Sequence, residues 1–381
     1  MANNLDDGRK SIVNLEIIKK SLRRKGFILQ EKIANGGYGD IYTAINNGIT
    51  FVIKVQVNEN NINRDKNLQN ECFISKSFKG KNIVSTFSIY KDSIKNNSKT
   101  KTIYLIVMEK ALYMDLKFFL RYLLKDNLMK LNIFNKYFPW IYYISPLTST
   151  LFIYQIIEAF KILFECNYVH RDIKPENLLV TYQFIIKLCD FGIVSKAKDN
   201  FQIHNSTWCY EGPEYYQEKD KKIIEKKEDC FKIDYYPLGL TMFYMFFREN
   251  LIDRNLKEEI YMKKDIQKLY KILDESVNKI KKHILNEGDE IQNFKNGIKN
   301  EDNDIKFIQK GLGELAINLI EKEVKKRPNI YKLVDNEILN QNKKKLKKIY
   351  EINQFLEMKL FVELQKPSLL KRNKIKYLFS T

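Results

Sequence analysis

Cysteine is sparse in this chain and long apolar runs are missing. The five cysteines, Cys72, Cys166, Cys189, Cys209 and Cys230, are scattered and odd in number. They lack the short pair spacing of a zinc site or a redox motif, so a reducing compartment is expected and a disulfide framework is not. No run approaches the roughly 20 apolar residues that a bilayer span requires. The opening Met1-Ala2-Asn3-Asn4-Leu5-Asp6-Asp7-Gly8 has no apolar core for a signal peptide, and Ala2 stands where N-myristoylation needs glycine. These absences predict a cytoplasmic protein, with nuclear access left open. Internal repeats and heptad series are also lacking, which excludes solenoids and coiled coils.

Positive charge is abundant: the formal net charge is +19. Such a field draws nucleic acid, anionic lipid or acidic proteins when it is concentrated. Here lysine is spread along the whole chain among Asn, Ile, Tyr and Phe, which reads as a composition bias, and no nucleic-acid partner is expected.

The chemistry is concentrated between Val169 and Gly192. His170-Arg171-Asp172-Ile173-Lys174-Pro175-Glu176-Asn177 precedes two apolar, β-prone runs, Leu178-Leu179-Val180 and Phe184-Ile185-Ile186-Lys187-Leu188, joined by the turn-like Thr181-Tyr182-Gln183. Cys189-Asp190-Phe191-Gly192 follows. A hairpin there gathers Asp172, Asn177 and Asp190 around one gap. Two carboxylates and an amide oxygen, with Lys174 beside them, suit a magnesium-bound polyphosphate and a hydroxyl that loses its proton on attack.

With these motifs the chain resembles the eukaryotic serine/threonine protein kinases. The resemblance implies an α+β, bilobed fold with a small β-rich lobe and a larger, mainly helical one, and it implies ATP and Mg2+ as cofactors. By it Asp172 accepts the proton of a substrate hydroxyl, Lys174 neutralises the transferred phosphoryl, and Asn177 and Asp190 hold the metal. Phe27 to Ile33 and Gly39-Asp40-Ile41-Tyr42 enclose a glycine-rich turn resembling the loop that lies over ATP, with Ile33, Ala34, Gly36, Gly39 and Ile41 around the nucleotide. Ala34 stands where the family's first glycine is expected. Phe51-Val52-Ile53-Lys54-Val55 resembles the strand whose lysine anchors phosphates, so Lys54 is also assigned to catalysis, and Val52 replaces the smaller alanine over the adenine. Glu71 is then the ion-pair partner of Lys54. Ser75 and Thr86 fall where kinases stack apolar side chains behind Phe191.

Thr102 to Ala111 reads as a buried strand entering a hinge, with Met108 behind the adenine and the backbone of Glu109 and Ala111 at its edge. Leu179 belongs to the same nucleotide set. Asp115 is open to two readings, a ribose contact or an acid stabilising a helix N-terminus. Glu176 and Asp115 match acidic positions that basophilic kinases use to hold arginine upstream of the acceptor. Tyr244 replaces a further acid, so only a modest basic preference is implied. Thr207 to Glu214 resembles the Thr-x-x-Tyr-x-Ala-Pro-Glu segment with Gly212 for alanine, Asp234 matches the acid that braces the catalytic loop, and Arg327 the arginine that pairs with Glu214. Arg171 matches an arginine that binds an activation-loop phosphate, yet Ile203 and His204 occupy the usual acceptor place. Ser206 and Ser195 are the other hydroxyls, so activity without loop phosphorylation is expected, with control through Ser206 as the alternative.

The expected organisation is an N-terminal extension over 1–25, a small lobe over 26–111, a large lobe over 112–340 with insertions near 116–150 and 249–312, and a basic helical tail over 341–381. Pro139 and Pro146 are expected to break helix, and Leu151 to Asn167 to form a buried one. The tail's apolar stripe packs on its own domain or meets a membrane or partner groove. The function expected is ATP-dependent phosphorylation of Ser/Thr in proteins. The alternative is a kinase-fold scaffold that binds nucleotide with little transfer, suggested by Ala34, Val52, Ser75 and Thr86. Oligomeric state is not legible.

Overall fold

The computed structural model describes residues 15–36, 39–58, 74–96, 99–110, 114–124, 146–181, 184–203, 210–216, 223–247, 259–260, 263, 265–285 and 302–341. Glu71, Ala111, the segment His204 to Cys209 with Ser206 and Thr207, Pro139, and the tail from residue 342 lie outside them, so the expectations placed on those residues do too. The chain divides into a smaller unit through residue 111 and a larger unit from residue 112 onward, which also takes in residues 81–83.

The smaller unit is an antiparallel five-stranded sheet in the order β1-β2-β3-β5-β4, with β1 Ile28–Gly36, β2 Gly39–Asn46, β3 Ile49–Asn58, β4 Thr86–Asn96 and β5 Lys99–Glu109. An Asn47-Gly48 turn with positive φ at both residues joins β2 to β3, the geometry whose twist matches paired strands. Alternation along β3 separates two faces. Ile53, Val55 and Val57 point into one core with Ile103, Leu105 and Val107 of β5, and helix α1 (Leu15–Arg23) closes that core with Ile18 and Leu22, one turn apart and fully buried. The stretch expected as a separate extension thus contributes core residues to the sheet, and Ser21 further ties it to Asp92 of β4. Lys54 and Gln56 alternate onto the opposite face, where Tyr104 and Ile106 pack with Ile89 and Met108.

The larger unit is built around two apolar helices. α3 (Pro146–Glu165) begins at the proline expected to break it, because proline's fixed φ and missing N–H suit a first helical position. It is buried on most sides through Phe152, Ile153, Ile156, Ile157, Ala159, Phe160 and Leu163. α4 (Tyr235–Phe247) is buried along Leu238, Met242 and Phe243, and Phe160 stacks on Tyr235 at 5.8 Å. Between them in sequence run β7 (Tyr168–Val169), β8 (Leu178–Val180), β9 (Ile186–Leu188), β10 (Ser195–Lys196), β11 (Phe201–Gln202) and β12 (Ile223–Ile224). Ahead of α3, the strand β6 (Met114–Asp115) leads into α2 (Leu116–Leu124). After α4 come α5 (Ile266–Leu285), α6 (Asp302–Leu319), α7 (Ile330–Val334) and α8 (Glu337–Gln341) among the described residues. α6 starts inside the stretch expected as an insertion, 249–312, and runs past its end, with Leu312 buried at that boundary and Leu315 and Ala316 buried beyond it. Among the described residues no helix is long and apolar enough to cross a membrane.

Candidate active site

Two short hairpins carry the catalytic loop. β8 and β9 pair through Leu178 with Leu188 and Val180 with Ile186, while β7 pairs with β10 through Val169 and Ser195. The loop between β7 and β8 is held from beneath by Asp234, at the entrance to α4, whose two carboxylate oxygens accept the backbone N–H groups of His170 and Arg171, each at 2.7 Å. That matters because Arg171 sits at φ +71°, a region costly for any residue with a Cβ. Burial pushes the Asp234 carboxyl up to about 7, against the two N–H bonds that favour its ionised form.

Asp172 is buried, and its carboxylate orientation is fixed by two donors on one oxygen. Lys174 Nζ lies 2.7 Å from Oδ2 and Asn177 Nδ2 lies 2.8 Å from it, while the same Asn177 nitrogen donates to the Asp172 carbonyl at 2.7 Å. With its nitrogen so used, Asn177 offers its amide oxygen to a hard cation. Asp190, at φ +62°, follows β9 with its side chain half-buried. His170 is wholly buried; its Nε2 lies 3.1 Å from the Cys189 carbonyl and its ring meets Phe191 edge-on at 5.4 Å. Burial pushes the imidazole below its usual range, so it stays neutral, although the Asp172 and Asp190 charges pull the other way. The donor set of Asn177 and Asp190 fits magnesium, since both present oxygen.

Arg171 reaches the activation segment: its Nη1 donates to Ser195 Oγ at 2.7 Å and to the Ile193 carbonyl at 3.1 Å. Farther along, β11 pairs with β12, Phe201 and Ile203 are buried, and Asp199 accepts the Lys227 N–H at 2.9 Å. Glu214 and Arg327 form a buried two-bond fork, Nη1 to Oε1 at 2.8 Å and Nη2 to Oε2 at 2.7 Å. The guanidinium also lies 5.0 Å from the centre of the Tyr236 ring. Gly212 stands where the family segment has alanine, and a Cβ there would lie 2.5 Å from Glu214 Oε2, at the far end of that side chain.

In the smaller unit the register brings the nucleotide candidates onto one face. Ile41 is opposite Lys54, Lys54 opposite Ile106, and Val52 opposite Met108, while Ala34 is opposite Ile41 and Gly36 opposite Gly39. Lys54 is buried, Ile33 is half exposed on the edge strand β1, and Glu109 accepts the Ser85 N–H at 2.7 Å. Gly39 has a reason of its own, since a Cβ would collide with the Val55 carbonyl oxygen. Ser75 is buried, and Thr86 opens β4. In the larger unit Leu179 lies on β8, and Asp115 caps α2, its Oδ1 accepting the Phe118 N–H at 2.7 Å.

Sequence reasoning missed two residues that stiffen the site's foundation. Gln155 of α3 accepts from Asn82 at 3.0 Å and from the Ile186 N–H at 2.9 Å, and donates to the Phe184 carbonyl. Asn82 in turn donates to the Ile186 carbonyl at 2.9 Å, so the β9 edge is satisfied by a buried amide pair. No local pattern marks either residue, since α3 also carries Glu158 and Lys161 among its apolar positions.

The protein kinase domain family matches residues 27–339, and the chain belongs to that family. It is 25% identical over 248 residues to an Aurora kinase of Saccharomyces cerevisiae, covering 64% of this chain and 58% of that protein. It is also 29% identical over 226 residues to MAP3K epsilon protein kinase 1 of Brassica napus, covering 58% of this chain and 15% of that one. A third similarity, 28% over 222 residues, is to the serine/threonine-protein kinase pakF of Dictyostelium discoideum, covering 58% of this chain and 16% of that protein. The chain therefore spans little more than half of one of these relatives and about a sixth of the other two.

Proposed function

We propose that the protein is a serine/threonine protein kinase that transfers the γ-phosphoryl of Mg-ATP to hydroxyls of protein substrates. The observation that carries this reading is the Asp172 carboxylate, held by Lys174 and Asn177 on a loop that Asp234 braces. Asp172 takes the proton of the attacking hydroxyl. Lys174, already beside that carboxylate, faces the phosphoryl as it transfers. Asn177 and Asp190 would hold magnesium, which when bound neutralises phosphate charge, and Lys54 anchors the phosphates. By the family resemblance Ile33, Ala34, Gly36, Gly39, Ile41, Val52, Met108 and Glu109 in the smaller unit, and Asp115 and Leu179 in the larger, are each assigned to the nucleotide.

Autophosphorylation and a generic protein substrate, with magnesium and labelled ATP, test it. Asp172→Asn, Asp190→Asn and Lys54→Met should each lower turnover ~10²-fold or more while melting temperature stays near that of the parent. Equal labelling by the parent and the Asp172 variant, in material free of host kinases, would return the chain to the reading of a nucleotide-binding scaffold.

A further inference from the structure

Glu176 lies in the tight turn Pro175–Asn177, four residues after Asp172, and the family resemblance sets it beside a peptide whose hydroxyl reaches Asp172. Its carboxylate is already in use. Lys117, in the first turn of α2, pairs with Oε1, and the other oxygen, Oε2, is turned into the protein out of reach of solvent. Asp115, two residues before Lys117, spends an oxygen on the Phe118 N–H. Burial pushes the Asp115 carboxyl above its usual range, and the nearby Glu176 charge pushes the same way while Lys117 opposes it. The two acids and the ammonium are thus one local cluster whose cation comes from the chain itself.

An arginine is held most firmly by a carboxylate through two parallel N–H bonds, one to each oxygen. At Glu176 an arriving guanidinium meets one oxygen covered by Lys117 and one facing inward. We propose that Lys117 is a specificity-determining residue, which withholds Glu176 from substrate arginine so that arginine upstream of the acceptor is not rewarded. This rests on the kinase reading, and it replaces the modest basic preference that the two acids alone implied.

The pair is partly exposed, with side chains 28% and 35% accessible, so removing Lys117 should change arginine selectivity by about fivefold. The probes are fluorescein-labelled peptides with one serine among alanines, each with arginine or alanine at one upstream place in turn. Binding is read by anisotropy without turnover, and kcat/KM is read with ATP on the same peptides. For the parent, arginine and alanine peptides should bind within twofold of each other. Lys117→Met, with Lys117→Gln beside it as a second replacement, should favour the arginine peptide about fivefold at one upstream place, and adding Glu176→Gln should abolish the gain. A strong arginine preference in the parent, an unchanged ratio in both Lys117 variants, or a gain that survives Glu176→Gln would overturn the proposal. The anisotropy arm decides Lys117 even where no phosphate transfers, whereas phosphorylation of the alanine peptide judges the kinase reading separately.

Discussion

Asp234 and Glu214 are both acids buried in the larger unit, 4% and 3% exposed, and they meet the cost of burial in opposite ways. Glu214 faces a full positive charge in the Arg327 fork, 113 residues away in sequence. Asp234 is held chiefly by two neighbouring N–H groups, with the Arg171 charge a smaller help, and burial pushes its carboxyl up to about 7. The difference matches what each fastens. A charge pair joins two distant segments through a planar two-point contact. Two N–H bonds to one carboxylate instead set the direction of adjacent peptide units, and that holds Arg171 in its left-handed conformation beside Asp172.

The largest expected effect is on the charge pair. Arg327→Leu leaves Glu214 buried without its counter-charge and should cost about 3–5 kcal/mol in chemical denaturation, whereas Glu214→Leu combined with Arg327→Leu should recover much of the loss. A double variant as unstable as the single would break the contrast between the two acids. Asp234→Asn sets an amide NH2 against one of two N–H donors; a loss of about 1–3 kcal/mol, together with reduced turnover, is expected.

The contrast is sharpened by pH. Asp234 has its folded pKa raised to about 7 from a reference of 3.8, so the native state holds a proton that the unfolded chain releases. The stability linked to that proton is complete below about pH 4 and is lost as pH rises through about 7. Melting temperature of the parent should carry this downward slope, and Asp234→Asn should lack it. The smallest effect belongs to Ser195→Ala, which removes one acceptor from Arg171 at about 1 kcal/mol. Hydrogen exchange should quicken between residues 193 and 197, and phosphatase treatment of the parent should leave turnover unchanged.

Much of this was readable beforehand because chemistry fixes residue type and spacing. The β8–β9 hairpin, Asp172 with Lys174 and Asn177, the Asp234 brace and the Glu214–Arg327 fork each need one particular side chain at one place. What was not readable depended on partners far apart in the chain. Lys117 meets Glu176 across 59 residues, and Asn82 meets Gln155 across 73, with no local pattern announcing either. Asp115 caps α2, and its ribose contact stays a proposal. The expected insertion ends at 312 because the polar stretch before it gives no sign of a helix that continues to the buried Leu315 and Ala316. Pro146 misled because proline ends helices in their interior and starts them at their first turn.

Gly212 carries a consequence for how this chain tolerates substitution. The atoms that a methyl group would strike belong to the Glu214 carboxylate, the far end of a side chain that also carries the Arg327 fork. An alanine at 212 is accommodated when that carboxylate and its guanidinium shift together, so a change at the glycine is felt at the fork.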